Sequence, residues 1–271
     1  GVNAGNSIES GGNYNVAVGD EAGTAITTGD YNTVIGFNSG DATTTGGENT
    51  FLGYNSGGLN VSGNYNTFLG SGAGSATTGS DSTGVGRNAM TANTTGINVA
   101  VGYRALDANT TGTSNVALGV DALGANVAGD QSVAVGHEAL IVQNPSGNAD
   151  MNNTAVGYRA GYATTTGTEN TFIGENAGAS NTTASYNTAV GRIALDANTT
   201  GANNVAVGRN ALGANTTASQ NIAIGSGAGA GITTGANNTI IGYVAGDAIT
   251  TGAQNTALGS SALGGNTTAS N

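Results

Sequence analysis

Few side chains in this sequence could perform chemistry, and their spacing decides what kind. The only histidine, His137, is followed by Glu138, a pair that could serve as a general base and its orienting carboxylate. Four aspartates, Asp41, Asp107, Asp196 and Asp247, share one position of a repeating unit, whereas carboxylate-bearing solenoid enzymes need theirs clustered. They sit in scattered units, so they form a solvated rim. His137 has no base partner at any matching position. No catalytic residue, metal site or cofactor site is expected, and with no cysteine thiolate ligands and disulfides are excluded.

Other residues suit recognition better than reaction. Just after a recurring glycine come Phe37, Tyr54, Tyr103 with Arg104, Tyr158 with Arg159, Tyr243, and the arginines Arg87, Arg192 and Arg209. Tyr and Arg are favoured in binding surfaces because they combine large contact area with polar handles. Tyr103, Arg104, His137, Glu138, Tyr158 and Arg159 are therefore candidate contacts for a glycan or protein receptor; an inter-chain seam or plain solvation is the structural alternative. "NTT" at Asn93, Asn109, Asn198 and Asn215 matches a glycosylation acceptor, but the match is a by-product of the repeat.

The element that must position these side chains is a repeat. An apolar pair followed by glycine recurs from Gly19 and Gly36 through Gly242 and Gly259, with a period of 17. The unit is N-[TV]-[AF]-[VIL]-G-x-x-[AS]-[GL]-x-x-x-T-T-G-x-x. A partial unit occupies 1–14 and fifteen units fill 15–271, expected to form one array and a segment of a longer fibre protein. One unit, 132–152, carries four extra residues and the only proline, Pro145. A period of this size means a solenoid, whose coils contact only their neighbours.

Composition agrees. Forty-nine glycines and only 8% charged residues accompany regularly spaced aliphatics, so the chain folds. The net charge of −11, from 16 acids and five arginines, opposes binding to nucleic acid or anionic lipid. No apolar run is long enough to span a membrane.

Within "NTAVG" the second and fourth residues share one face of a strand and the third faces the other way. The fourth is always aliphatic, so the second and fourth are expected inside. Ala or Ser at the eighth position suits a narrow interior. The third position, mostly Ala but with Phe51, Phe68, Phe172 and Ile240, then gives an outer apolar face that other copies of the chain would cover. The T-T-G arm is expected to form a second strand, with its glycine at positive φ. Asn at the first position should form a hydrogen-bonded ladder from coil to coil. The expected fold is an all-β parallel β-solenoid of 17-residue coils.

"NVAVGRNALGANTTASQ" and "NTAVGRIALDANTTGAN" resemble the repeats of trimeric tail-fibre-domain proteins and the S-V-A-I-G-x-x-A heads of YadA-type adhesins. The resemblance runs over nearly every unit. It implies a left-handed β-roll assembled as a homotrimer, a non-enzymatic stalk or head on a virion tail fibre or bacterial surface. The unit is longer than that of the adhesin heads. An ice-binding solenoid with a threonine ladder is the alternative.

Overall fold

The computed structural model describes residues 1–8, 11–268 and 270. Asn271, the expected end of the last coil, lies outside them. The described residues contain strands and turns and no helix. The chain divides into two compact units, one of residues 1–131 with 144–149 and one of residues 132–143 with 150–271.

Each unit is a parallel β-solenoid. In the first, the strands Val16–Val18, Thr33–Ile35, Thr50–Leu52, Thr67–Leu69, Thr83–Val85, Asn98–Val101 and Asn115–Leu118 pair in sequence order. In the second, Val133–Val135, Thr154–Val156, Thr171–Ile173, Thr188–Val190, Val205–Val207, Ile222–Ile224, Thr239–Ile241 and Thr256–Leu258 do the same. The register keeps equivalent residues one above another: Ala155 pairs with Phe172, and Phe172 with Ala189.

The inward face is the reverse of the sequence expectation. The third residue of each strand motif points into the coil: Val34, Phe51, Phe68, Ala100, Phe172 and Ile240 are fully buried within one chain. Phe51, Phe68, Phe172 and Ile240 are thus core residues and have no surface to offer another copy. The second and fourth residues face outward; Val18 is 53% exposed, Leu52 45% and Ile224 40%. Hydrophobicity could not separate the two faces, because both are apolar. Volume does, because the residue opposite the third position is the ninth, and the two share one small space.

That sharing is strict. Where the third residue is Phe, the ninth is Gly: Phe51 with Gly57, Phe68 with Gly74, Phe172 with Gly178. A Cβ on Gly74 or Gly178 would lie 2.4 Å from a ring carbon of Phe68 or Phe172. Where the ninth is Leu, as at Leu106, Leu123, Leu140, Leu195 and Leu212, the third is Ala, and those leucines are fully buried. Where both are small, as at Ala155 and Gly161, interior packing is completed from the adjacent coils, with Leu140 Cδ2 and Phe172 Cδ2 each 2.8 Å from where a Gly161 Cβ would lie. The leucines hold left-handed backbone, φ 54° at Leu195 and 52° at Leu106. That conformation costs a residue with a Cβ roughly 1–2 kcal/mol, which burial of the side chain offsets.

Asparagines close the coils. Asn32 N–H donates to Asn15 Oδ1 (2.8 Å), and Asn49 N–H to Asn32 Oδ1 (3.1 Å). In the second unit the file continues from Asn153 to Asn170, Asn187, Asn204, Asn221, Asn238 and Asn255. The amides from Asn153 to Asn238 also donate across their own coils, as Asn49 Nδ2 does to Gly63 O (2.8 Å) in the first unit. The expected ladder is present, and it satisfies backbone groups that burial would otherwise leave unpaired.

The T-T-G arm differs from expectation. It bends without forming a second strand in most coils, the exception being the two-residue strand Gly129–Asp130, and its backbone still bonds to the next coil, Thr44 N–H to Val61 O at 2.9 Å. Its glycines do not adopt positive φ. Gly29 is small because a Cβ there would sit 2.2 Å from the Gly46 carbonyl oxygen. Positive φ belongs instead to the glycine after the strand, 137° at Gly53, and to the seventh, ninth and last positions of the coil.

Candidate functional site

The strand ends at its glycine, and the chain turns through the sixth and seventh positions. Backbone bonds lock that corner: Asn55 N–H donates to Phe37 O and Gly72 N–H to Tyr54 O. Sixth-position side chains of successive coils therefore lie in a file. All six candidate contact residues fall on this corner, at its sixth and seventh positions.

In the first unit Tyr103 lies beneath the Arg87 guanidinium, 4.3 Å from its ring centroid, while Arg104 is 5.8 Å from the same ring. Arg104 Nε donates to Asp107 Oδ2 at 3.0 Å and lies 3.4 Å from Asp121 Oδ1. The Asp107 hydrogen bond and charge raise its pKa further above the ordinary arginine value. In the second unit Arg159 Nε donates to Glu138 Oε2 at 2.6 Å, and its guanidinium lies 4.4 Å from the Tyr162 ring. The Glu138 hydrogen bond likewise raises the Arg159 pKa.

His137 stacks on Tyr158 with centroids 5.6 Å apart. The Glu138 carboxylate is 3.9 Å from His137 Nδ1, beyond hydrogen-bond range, and is bonded to Arg159. The pair that could have oriented a general base is thus divided between a ring stack and an ion pair. Asp41 and Asp196 sit half-buried at the tenth position, where desolvation raises their pKa values against backbone hydrogen bonds that lower them. No cluster able to hold a metal ion occurs among the described residues.

Ring stacking limits what the corner can bind. Phe37 and Tyr54 stack at 5.8 Å, and Tyr14 and Tyr31, at the last position of their coils, at 4.9 Å. Rings stacked along the file cover each other's faces and leave edges to solvent. Only a ring next to a coil that lacks one offers an open face.

The sequon asparagines form a second interior file that sequence reading missed. Asn93, Asn109, Asn198 and Asn215 are fully buried. Asn109 Nδ2 donates to Asn93 Oδ1 (2.8 Å) and Asn215 Nδ2 to Asn198 Oδ1 (2.9 Å), and each also caps the carbonyl three residues on. The signal was available, because the twelfth position carries only Asn, Gln, Thr or Ile. The threonine after it is half-buried, its hydroxyl donating to the next coil, as Thr199 Oγ1 does to Thr216 O at 3.0 Å. The exposed threonine file, Thr183, Thr200 and Thr217, is therefore one residue wide.

The inserted loop, residues 144–149, packs with the first unit, where Thr111 Oγ1 donates to Asn148 Oδ1 at 2.7 Å. No helix is long and apolar enough to cross a membrane among the described residues. Comparison with protein-family models, with curated proteins and with solved structures finds no match to this chain.

Proposed function

We propose that the chain is a non-enzymatic segment of an extracellular fibre, a stalk or head on a virion tail fibre or bacterial surface, assembled as a homotrimer. The observation that carries this reading is the outward sheet face. Rows of Val, Ile, Leu and Thr at the second and fourth strand positions stand in solvent in each unit, including Val99, Val101 and Leu118 in the first and Val156, Ile173 and Ile222 in the second. Parallel sheets are ordinarily covered on both faces. A cover that matches this face must itself repeat at the coil spacing, and a second copy of the chain does so by construction. Three such faces around a common axis close the assembly without leaving an open edge, as the resemblance to trimeric fibre repeats implies, together with left-handed winding. The seam moves from the third position to the second and fourth.

The test is absolute mass by light scattering, with Val101→Glu and Ile173→Glu as variants. Three times 25.9 kDa for the parent, falling in the variants with circular dichroism unchanged, supports the reading. A parent mass of one chain overturns it. Thermal hysteresis would then decide for the ice-binding alternative.

A further inference from the structure

Two coils interrupt the corner file in the same way. Both read Ser-Gly-Ala-Gly from the sixth position: Ser71 to Gly74 in the first unit and Ser226 to Gly229 in the second. They are the coils in which the seventh position is glycine, with φ 70° at both Gly72 and Gly227. In each, the sixth position of one neighbouring coil is tyrosine and of the other arginine. The first unit runs Tyr54, Ser71, Arg87, and the second Arg209, Ser226, Tyr243. Backbone bonds hold these files: Gly72 N–H to Tyr54 O, Asn88 N–H to Ser71 O, Gly227 N–H to Arg209 O and Val244 N–H to Ser226 O.

The arginines mark the same two coils independently. Of the five, Arg104, Arg159 and Arg192 pair with carboxylates. Arg87 and Arg209 form no ion pair among the described residues, and they are the two that border the Ser-Gly coils. Phe37 covers one face of the Tyr54 ring, so the other faces the vacant layer at Ser71. Tyr243, 63% exposed, lies between Ser226 and Ser260. With coils stacked at about 4.8 Å, the tyrosine and arginine layers stand roughly 9–10 Å apart. That spacing admits one ring.

We infer that each Ser-Gly coil is a notch for one carboxylate-bearing pyranose of an acidic polysaccharide. The C–H face of the sugar lies on the electron-rich tyrosine face, and its carboxylate takes the unpaired guanidinium fork in bidentate fashion. Serine brings no ring into the layer at the sixth position, and beside it the space at Gly72 and Gly227 is taken by Asn88 Oδ1 and Val244 Cγ1 of the following coil. The net charge of −11 opposes approach of a polyanion at long range, but at physiological salt charges beyond about 8 Å are screened. The notch then acts by contact. The inference rests on the fibre reading only in giving the display surface a ligand class.

The experiment is isothermal titration of the whole chain with oligogalacturonate and, as the uncharged comparator, malto-oligosaccharide, at physiological salt. Two sites per chain are expected. Ser71→Tyr and Ser226→Tyr restore the ring that Tyr54, Tyr103 and Tyr158 already provide at this position, so each should fold and remove one site, and together both. Arg87→Gln with Arg209→Gln should weaken binding about tenfold or more, the worth of a charge-assisted pair. The inference is overturned if the parent binds neither sugar, if the neutral sugar binds equally, or if the double tyrosine variant binds undiminished. The mass measurement is independent: a monomer that still binds in this pattern overturns the fibre and leaves the notches standing.

Discussion

Replacing Phe172 by Ala and Gly178 by Leu, singly and together, tests whether each coil conserves its interior volume. Phe172→Ala alone removes a fully buried ring and should cost about 3–5 kcal/mol. Gly178→Leu alone drives a Cβ to within 2.4 Å of the ring, an overpacking of about 1–3 kcal/mol, on top of roughly 1–2 kcal/mol for a left-handed leucine. In the double variant the clash is gone and leucine fills the space. The coil then matches the next one, Ala189 with Leu195. Only the left-handed cost of about 1–2 kcal/mol should remain, so the coupling should exceed about 3 kcal/mol in favour of the pair. Because arrays need not unfold in one step, the assay is native-state hydrogen exchange. The reporters are the Thr171 amide, bonded to Asn187 O, and the Gly174 amide, bonded to Val156 O. A double variant no better protected than Phe172→Ala would refute the shared-volume argument.

Two further outcomes follow from the ladder and from buried charge. Asn187→Ala strands the buried Asn204 amide, while Gly201 O keeps its bond from Asn198 Nδ2, and should cost about 1–3 kcal/mol in urea unfolding. Asn187→Ser should recover much of that, since Ser82 stands in the same file and donates to Gly96 O at 2.9 Å. Burial raises the Asp196 pKa in the fold, so the folded state holds its proton more tightly than the unfolded chain. The stabilisation is present below the unfolded value of 3.8 and is lost as pH rises through the folded value. Asp196→Asn should therefore raise the urea midpoint at pH 7 and converge with the parent below that range.

Much of the fold was legible in the sequence because period is a one-dimensional signal. The glycine spacing set the coil, and the small eighth residue, buried at Ala22, Ser39 and Ser56, announced a narrow interior. Side orientation was misread because alternation separates two faces without saying which is inside, and here both were apolar. The missing signal was covariation inside the chain itself: Phe appears at the third position only opposite Gly at the ninth, which two residues that never meet would not do. Positive φ was assigned to the T-T-G glycine because glycine tolerates it. The asparagines at the seventh position, Asn38, Asn55 and Asn88, were the better sign, since Asn is enriched in that backbone region. At the corner the residue types were readable, but which rings had an open face depended on what the adjacent coil carried.

Compensation of the third residue by the ninth keeps the filled volume within the coil wherever one of the two is large, as at Phe172 with Gly178 or Ala189 with Leu195. Where both are small, as at Ala155 and Gly161, side chains of the neighbouring coils reach in, and a Cβ on Gly161 would lie 2.8 Å from both Leu140 Cδ2 and Phe172 Cδ2. Seventeen residues can therefore be lost or duplicated by slippage in a repetitive gene without repacking what remains, provided the coils that meet at the new junction match in volume. For such a chain, length is a heritable trait that can drift in whole steps while the cross-section stays the same.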